Sequence, residues 1–303
     1  MNIITFNHVT KEYKNKKAID NLSFSIEENK ITGIIGRNGA GKTTLLKIIA
    51  GFFEQSQGEV KVFDETPFNS ITVSANCIFI DDQLSFPSTL NLGEILDATG
   101  KFYENWDTKL ANGLFDYFNL DRHQSHEHLS KGMKSTFNVI IGLASRCPLT
   151  LFDEPTTGMD AAVRKDVYRA LLKDYITKPR TILISSHHLQ EIEDLLEDIL
   201  LIKDGKAHLH LPVSDMKEYA IGIKGKASVL EKWLENRDIL HKSNLGTDSL
   251  YVVVRNNFST TELEKARVSG LILSQVNSSE LSVYLTSKTK GGIDDVFSET
   301  YNW

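Results

Sequence analysis

Cysteine is scarce: 303 residues carry two, Cys77 and Cys147, too few for a disulfide framework. In a reducing compartment both are expected to stay thiols and to pack as small apolar side chains. No run approaches the ~18 to 20 apolar residues of a membrane-crossing helix. The opening, Met1 to Asn7, has no basic segment followed by a long apolar core, so no secretory leader is expected. Positive charge is not in surplus either, since 34 Lys and Arg face 40 Asp and Glu for a net −6. Residues 1–211 hold 23 basic and 28 acidic side chains and the remainder 11 and 12, so neither part is cationic. A chain that bound nucleic acid mainly by neutralising phosphates would show a basic face or tail, and no nucleic-acid partner is expected. Internal repeats and low-complexity tracts are missing as well. What is present, 41% apolar and 24% charged residues, is ordinary globular composition, long enough for about two domains.

Apolar alternation at Ile4, Phe6 and Val9, and again at Leu22, Phe24 and Ile26, predicts two strands of an antiparallel edge sheet around a Lys14–Lys17 turn. Continuous apolar runs at 31–35, 149–152 and 181–185 predict strands buried on both faces. Helices are expected at 41–50, stopped by Gly51, and at 161–175, which gives the alternation of a parallel α/β core. From Asn91 to His128 the spacing turns helical, with Phe102, Trp106, Leu110 and Leu114 on one predicted face, as in an inserted helical subdomain at about 88–140. The first domain is placed at 1–211. Residues 212–303 predict a small α+β domain, with strands near 219–224, 249–255, 271–276 and 281–285 and helices near 228–236 and 260–268, in a ferredoxin-like split β-α-β order.

The chemistry begins at Gly36-Arg37-Asn38-Gly39-Ala40-Gly41-Lys42-Thr43, which fits the phosphate-loop pattern G-x-x-x-x-G-K-[ST] between a predicted strand and a predicted helix. Glycines let backbone N–H groups wrap phosphate oxygens, and the helix start adds partial positive charge. Lys42 would reach the β and γ phosphates, with Asn38, Gly39, Gly41 and Thr44 also placed against the nucleotide and the Thr43 hydroxyl on Mg²⁺. Residue frequencies alone produce this pattern in roughly one chain in a hundred, so it needs company. Leu149 to Glu154 supplies it, an apolar strand ending in two acids. Asp153 suits the metal, and Glu154 could polarise a water for attack on the γ phosphate.

Leu129-Ser130-Lys131-Gly132-Met133, after the helical insertion, then resembles the signature Leu-Ser-Gly-Gly-Gln of the ATP-binding subunits of ATP-binding-cassette (ABC) transporters. Lys131 and Met133 depart from its commonest form. The fold that the resemblance implies is α/β, an ABC-type phosphate-loop NTPase with an antiparallel β subdomain and a helical insertion, plus the small C-terminal α+β domain. Tyr13 stands where the family stacks a ring on adenine, His187 matches the switch histidine at the γ phosphate, and Asp160 lies in the loop that crosses a dimer interface. At the glutamine loop, Ile80-Asp81-Asp82-Gln83 places Asp82 where glutamine is usual and Gln83 one residue late; either could approach the metal by oxygen.

By the same resemblance, two copies or two related subunits meet head to tail, each ATP lying between Lys42 of one and Ser130 and Gly132 of the other. An integral membrane permease subunit docks near 83–91 and the helical insertion, which puts the chain on the cytoplasmic face of the cell membrane. Phe102-Tyr103 with Trp106-Asp107, Leu129 to Lys134 and Ser185-Ser186-His187 resemble the Gram-positive type-two exporter ATPases of the phenol-soluble modulin and antimicrobial-peptide group, as does the ending Gly292 to Phe297. Export of an amphipathic peptide or lipid-like substrate follows as the leading expectation. A soluble ABC ATPase working on ribosomes or DNA is the alternative, but the duplicated cassette, long coiled coils or zinc sites expected of such members are missing from the sequence.

Overall fold

The computed structural model describes residues 1–14, 16–235 and 237–287, and the ending at 292–297 lies outside them. Two compact units divide the chain between Ser214 and Asp215. The first runs β1 (Asn2–Tyr13), β2 (Lys16–Glu27), β3 (Ile31–Ile35), α1 (Lys42–Ile49), β4 (Gln57–Val62), α2 (Ile71–Asn76), β5 (Cys77–Ile80), α3 (Leu92–Phe102), α4 (Thr108–Tyr117), α5 (Lys131–Ala144), β6 (Leu149–Asp153), α6 (Ala161–Thr177), β7 (Thr181–Ser186), α7 (Leu189–Ile192), β8 (Asp198–Lys203) and β9 (Lys206–Pro212).

Two sheets result. β2, β1 and β4 form an antiparallel sheet in that order, with Ile4 opposite Ile26 and Phe6 opposite Phe24, so the alternating apolar positions share one buried face. The larger sheet is ordered β5-β6-β7-β3-β8-β9. Its first five strands are parallel and β9 closes it antiparallel. Every residue of β3, β6 and β7 is buried, the physical counterpart of runs that are mostly apolar and broken chiefly by small hydroxyl side chains. These three strands are neighbours and end at one edge, where Asp153 stands opposite Ser185 and Ile35 opposite Ser186. The loops that leave the carboxyl ends of β3, β6 and β7 therefore converge on one place.

Cys77 and Cys147 are buried free thiols, and burial pushes both pKa values up, that of Cys147 to about 11. In the helical insertion, Asn91 caps α3 in a reciprocal box with Glu94. The expected Phe102–Leu114 stripe is not one helix face. Helix α3 stops at Phe102, which is 74% exposed, and α4 restarts after Asp107, whose carboxylate accepts from Leu110 N and is held by Arg146. A capping aspartate interrupts a spacing that residue types alone carry straight through.

The second unit follows on from α8 (Val213–Glu218) and contains β10 (Ala220–Lys226), α9 (Ala227–Trp233), β11 (Ile239–Asn244), β12 (Ser249–Arg255), α10 (Thr260–Val268), β13 (Ile272–Gln275) and α11 (Ser278–Thr286). Its sheet is antiparallel in the order β11-β12-β10-β13, which with this β-α-β-β-α-β sequence is a split β-α-β arrangement. Ile223, Leu230, Val252, Val254, Ala266 and Leu271 form its core.

One expectation here is corrected. Leu281 to Leu285, read as a strand from the alternation of Leu281, Val283 and Leu285, lies within helix α11, whose N-cap Asn277 accepts from Glu280 N. Leu281 and Leu285 are buried one turn apart, while Val283 points away at 59% exposure. Leu281→Ala should therefore cost about 2–5 kcal/mol in the urea unfolding of this unit, and Val283→Ala less than about 0.5 kcal/mol. Equal losses at the two positions would contradict the helix.

Candidate functional site

The loop from Gly36 to Gly41 connects β3 to α1 and is shaped by what its glycines exclude. A Cβ on Gly36 would lie 2.5 Å from the Ile202 carbonyl oxygen, and one on Gly41 would lie 2.5 Å from that of Ala18. Gly41 also has φ near 111° and caps α1 without any side-chain hydrogen bond, so the first-turn N–H groups of α1 receive no cap from the sequence. Lys42 curls back over this loop, nine-tenths buried, with Nζ donating to Gly36 O at 2.7 Å.

The acids come from the end of β6. Asp153 accepts from Thr43 Oγ1 at 2.6 Å and from Ser185 Oγ at 2.5 Å. Burial raises its pKa, opposed by those two hydroxyl donors and by the nearby Lys42, while the Glu154 charge raises it further. Glu154 sits in the left-handed region at φ 49°, a conformation unusual for a residue with a side chain. Three bonds hold it there: Glu154 N donates to Ser185 Oγ, and Thr157 N and Oγ1 both donate to Glu154 O. Its carboxylate lies between two cationic or protic groups. Lys42 Nζ is 3.2 Å from Oε1, and His187 Nδ1 is 2.9 Å from Oε2. A carboxylate only accepts, so this contact places the histidine proton on Nδ1. The approach of Lys42 is an ion pair without hydrogen-bond alignment, and Glu154 Oε1 is buried with no hydrogen bond at all. An anionic oxygen left without a donor at the bottom of a cleft is available to a water or a ligand hydroxyl.

The cleft holds about 470 Å³ and is lined by Tyr13, Lys16, Ala18, Asn38, Gly39, Gly41, Lys42, Thr43, Thr44 and Glu154. Tyr13 stands at its rim, partly exposed, edge-on to Phe53 and beneath the Lys11 ammonium. Lys42, Thr43, Asp153, Glu154 and His187 thus come together in one protomer. Ser130, Gly132 and Asp160 do not line this cleft. Ser130 caps α5 by accepting from Met133 N, and Asp160 caps α6 by accepting from Ala162 N and Val163 N. A Cβ on Gly132 would lie 2.5 Å from Gly158 O, so the start of α5 is packed directly on the loop that follows Glu154. Gln83 is exposed in the turn after β5, its N–H donating to Asp81, and its side chain makes no hydrogen bond to Thr43 or Asp153.

Ser185 has no site role among the sequence motifs. Its hydroxyl bridges Asp153 and the Glu154 N–H, and the only signal was a polar residue inside the apolar run Thr181–Ser186. Ser185→Ala should cost about 1–3 kcal/mol, because it orphans a buried N–H and removes a donor from a buried carboxylate. An unchanged urea midpoint would contradict this bridging role. Lys16 and Ala18, also overlooked, enter the cleft because β1 and β2 turn back on each other at Tyr13 and Lys16.

Comparison with known proteins gives the family. The family described as "ABC transporter" matches residues 19–157. The chain is 28% identical over 223 residues to the ABC transporter ATP-binding protein YtrB of Bacillus subtilis, covering 73% of this chain and 76% of that protein. It is 30% identical over 217 residues to an uncharacterized ABC transporter ATP-binding protein of Methanocaldococcus jannaschii, covering 70% and 79%. With the bacitracin transport ATP-binding protein BcrA of Bacillus licheniformis it shares 27% identity over 304 residues, covering 96% and 98%. Among solved structures it matches the dimeric post-hydrolysis state of an ATP-binding cassette bound to ADP and Pi with a TM-score of 0.61 at 21% identity, covering 69% of this chain and 98% of that one. The chain belongs to the ABC transporter family, as one of the ATP-binding cassettes that hydrolyse ATP to power transport.

Proposed function

We propose that this chain works as one half of a head-to-tail pair of cassettes, each ATP clasped between the Lys42 loop of one protomer and the Ser130 helix start of the other. The observation that carries this reading is the split of the site. Lys42, Thr43 and Glu154 line one cleft, with Asp153 hydrogen-bonded to Thr43 and His187 to Glu154, while Ser130 and Gly132, the phosphate-binding candidates at the start of α5, are not part of its lining. A ligand that contacts both protomers stabilises only their closed state, and that differential affinity shifts the equilibrium.

Within the cleft, Tyr13 stacks on the adenine, and Asn38, Gly39, Gly41, Lys42 and Thr44 hold the phosphates. Glu154, oriented by His187 and with an Oε1 that is ion-paired to Lys42 but accepts no hydrogen bond, accepts the proton of the attacking water. Thr43 and Asp153 would hold Mg²⁺, with Gln83 approaching from the turn after β5; their hydroxyl and carboxylate oxygens are the hard donors that this ion takes alongside phosphate oxygens and water. When bound, the ion neutralises charge on the β and γ phosphates.

Closure of the pair would move whatever grips both cassettes. No helix among the described residues is long and apolar enough to cross a membrane, and the grip is assigned to an integral membrane permease subunit on the cytoplasmic side. An apolar groove of about 520 Å³ supports this, lined by Phe52, Phe79, Leu84, Phe86, Leu90 and Phe102 beside Gln83 and the helical insertion. The end-to-end similarity to a bacitracin transport ATP-binding protein supports the substrate class assigned here, an amphipathic peptide or lipid-like molecule, exported as in the Gram-positive type-two group. The unit from Asp215 onward is assigned to holding two copies together or to regulation. Co-purification with the membrane subunit, followed by ATPase assay with added amphipathic peptides, tests the reading. Stimulation by such peptides is expected, and a complex whose turnover responds to none of them would overturn the substrate assignment.

A further inference from the structure

Two of the places where this chain departs from the usual family motifs touch each other. Lys131 stands where the signature commonly has glycine, Asp82 stands where the glutamine loop commonly has glutamine, and Lys131 Nζ lies 3.4 Å from Asp82 Oδ2. Helix α5 begins at Lys131, immediately after its cap Ser130. The stem of Lys131 lies beside Gly158, where an added Cβ would come within 2.9 Å of Lys131 Cγ, and its head projects to Asp82 with both side chains largely exposed. Asp82 has no other ion-pair partner among the described residues, whereas Asp81 beside it is paired with Lys47.

We propose that this pair is a phosphate-exchangeable latch. In the free protomer Lys131 is held by Asp82; when two protomers close on ATP, Lys131 leaves Asp82 and contributes its charge to the triphosphate seated on the other protomer. The inference rests on the head-to-tail reading above, which brings Ser130 and Gly132, the neighbours of Lys131, against that triphosphate. The exchange is favoured by magnitude. An exposed Lys–Asp pair is weak, and a lysine against a dehydrated polyphosphate makes the stronger, charge-assisted kind of contact. A glycine signature has no such charge to transfer, and a glutamine at position 82 would not hold one in reserve. Asp82 therefore competes with ATP for the same ammonium, and the two residues act on closure with opposite sign.

The test uses the full chain carrying Glu154→Gln, which retains ATP, with ATP-dependent self-association measured by sedimentation velocity. Lys131→Gln should weaken association about tenfold or more, and Lys131→Arg should restore most of it. Asp82→Asn should strengthen association about two- to fivefold, and the double variant should match Lys131→Gln. Weakening by both single variants would mark the pair as merely structural, and no change in either would overturn the latch. If the Glu154→Gln parent itself fails to associate with ATP, it is the head-to-tail reading that falls.

Discussion

Glu154→Gln should bind ATP at least as well as the unaltered chain and turn it over about 10² to 10⁴ times more slowly. The amide keeps the shape of the side chain and its left-handed backbone position, which is secured by Ser185 and Thr157 rather than by the carboxylate. It removes the proton acceptor. It also removes the anion that lies 3.2 Å from Lys42 Nζ, so the ammonium no longer has to leave a carboxylate to reach phosphate. ATP that stays intact should keep the protomers together, and a long-lived ATP-bound dimer should accumulate. Paired measurements of turnover and of nucleotide affinity check both halves. Turnover near that of the unaltered chain would remove Glu154 from the proton-accepting role.

Lys42→Ala should act at the earlier step and weaken ATP binding about 10²- to 10⁴-fold, since it deletes charge-assisted contacts to more than one phosphate group. In the free protomer Lys42 is buried against Gly36 O and Glu154. Its removal leaves the Glu154 carboxylate opposed only by His187, and the cleft loses its one buried ammonium among the described residues. Repulsion between Glu154 and the γ phosphate then adds to the lost attraction. The effect should be larger for ATP than for ADP because the γ phosphate contributes most of that charge. Equal and near-normal affinities for the two nucleotides in equilibrium titration would contradict this assignment.

The contrast between these two substitutions also shows which parts of the molecule can be read in advance. Lys42 and Glu154 are legible because each follows a short, mostly apolar strand with a glycine turn or an acid at its end, the pattern that burial on both faces favours in β3 and β6. Ser185 was not legible, because its role is set by the strand beside it: only the parallel register that places it opposite Asp153 gives the hydroxyl two partners. Strand β11 was missed for a related reason. It pairs with β12 along Ile239–Asn244, yet most of its side chains are exposed or half-exposed, so the backbone ladder rather than an apolar face defines it. The error at α11 ran the other way. Leu281, Val283 and Leu285 alternate as a strand would, and only the capping Asn277 favours the helix in which Val283 faces out. Lys131 and Asp82 are each visible as departures from a motif, but 49 positions apart nothing local announces that they meet.

The clasp itself is tested most directly by mixing differently tagged protomers, all carrying Glu154→Gln, and counting ATP retained by the purified mixed dimer. One protomer carries Lys42→Ala and the other Ser130→Phe. If each nucleotide is shared, both changes fall on the same site and the other remains whole, so the dimer retains one ATP. A dimer of a doubly substituted protomer with an unsubstituted partner loses both sites and retains none. The opposite pattern, no ATP in the first mixture and one in the second, would mean that each protomer builds its site alone, and would contradict the account.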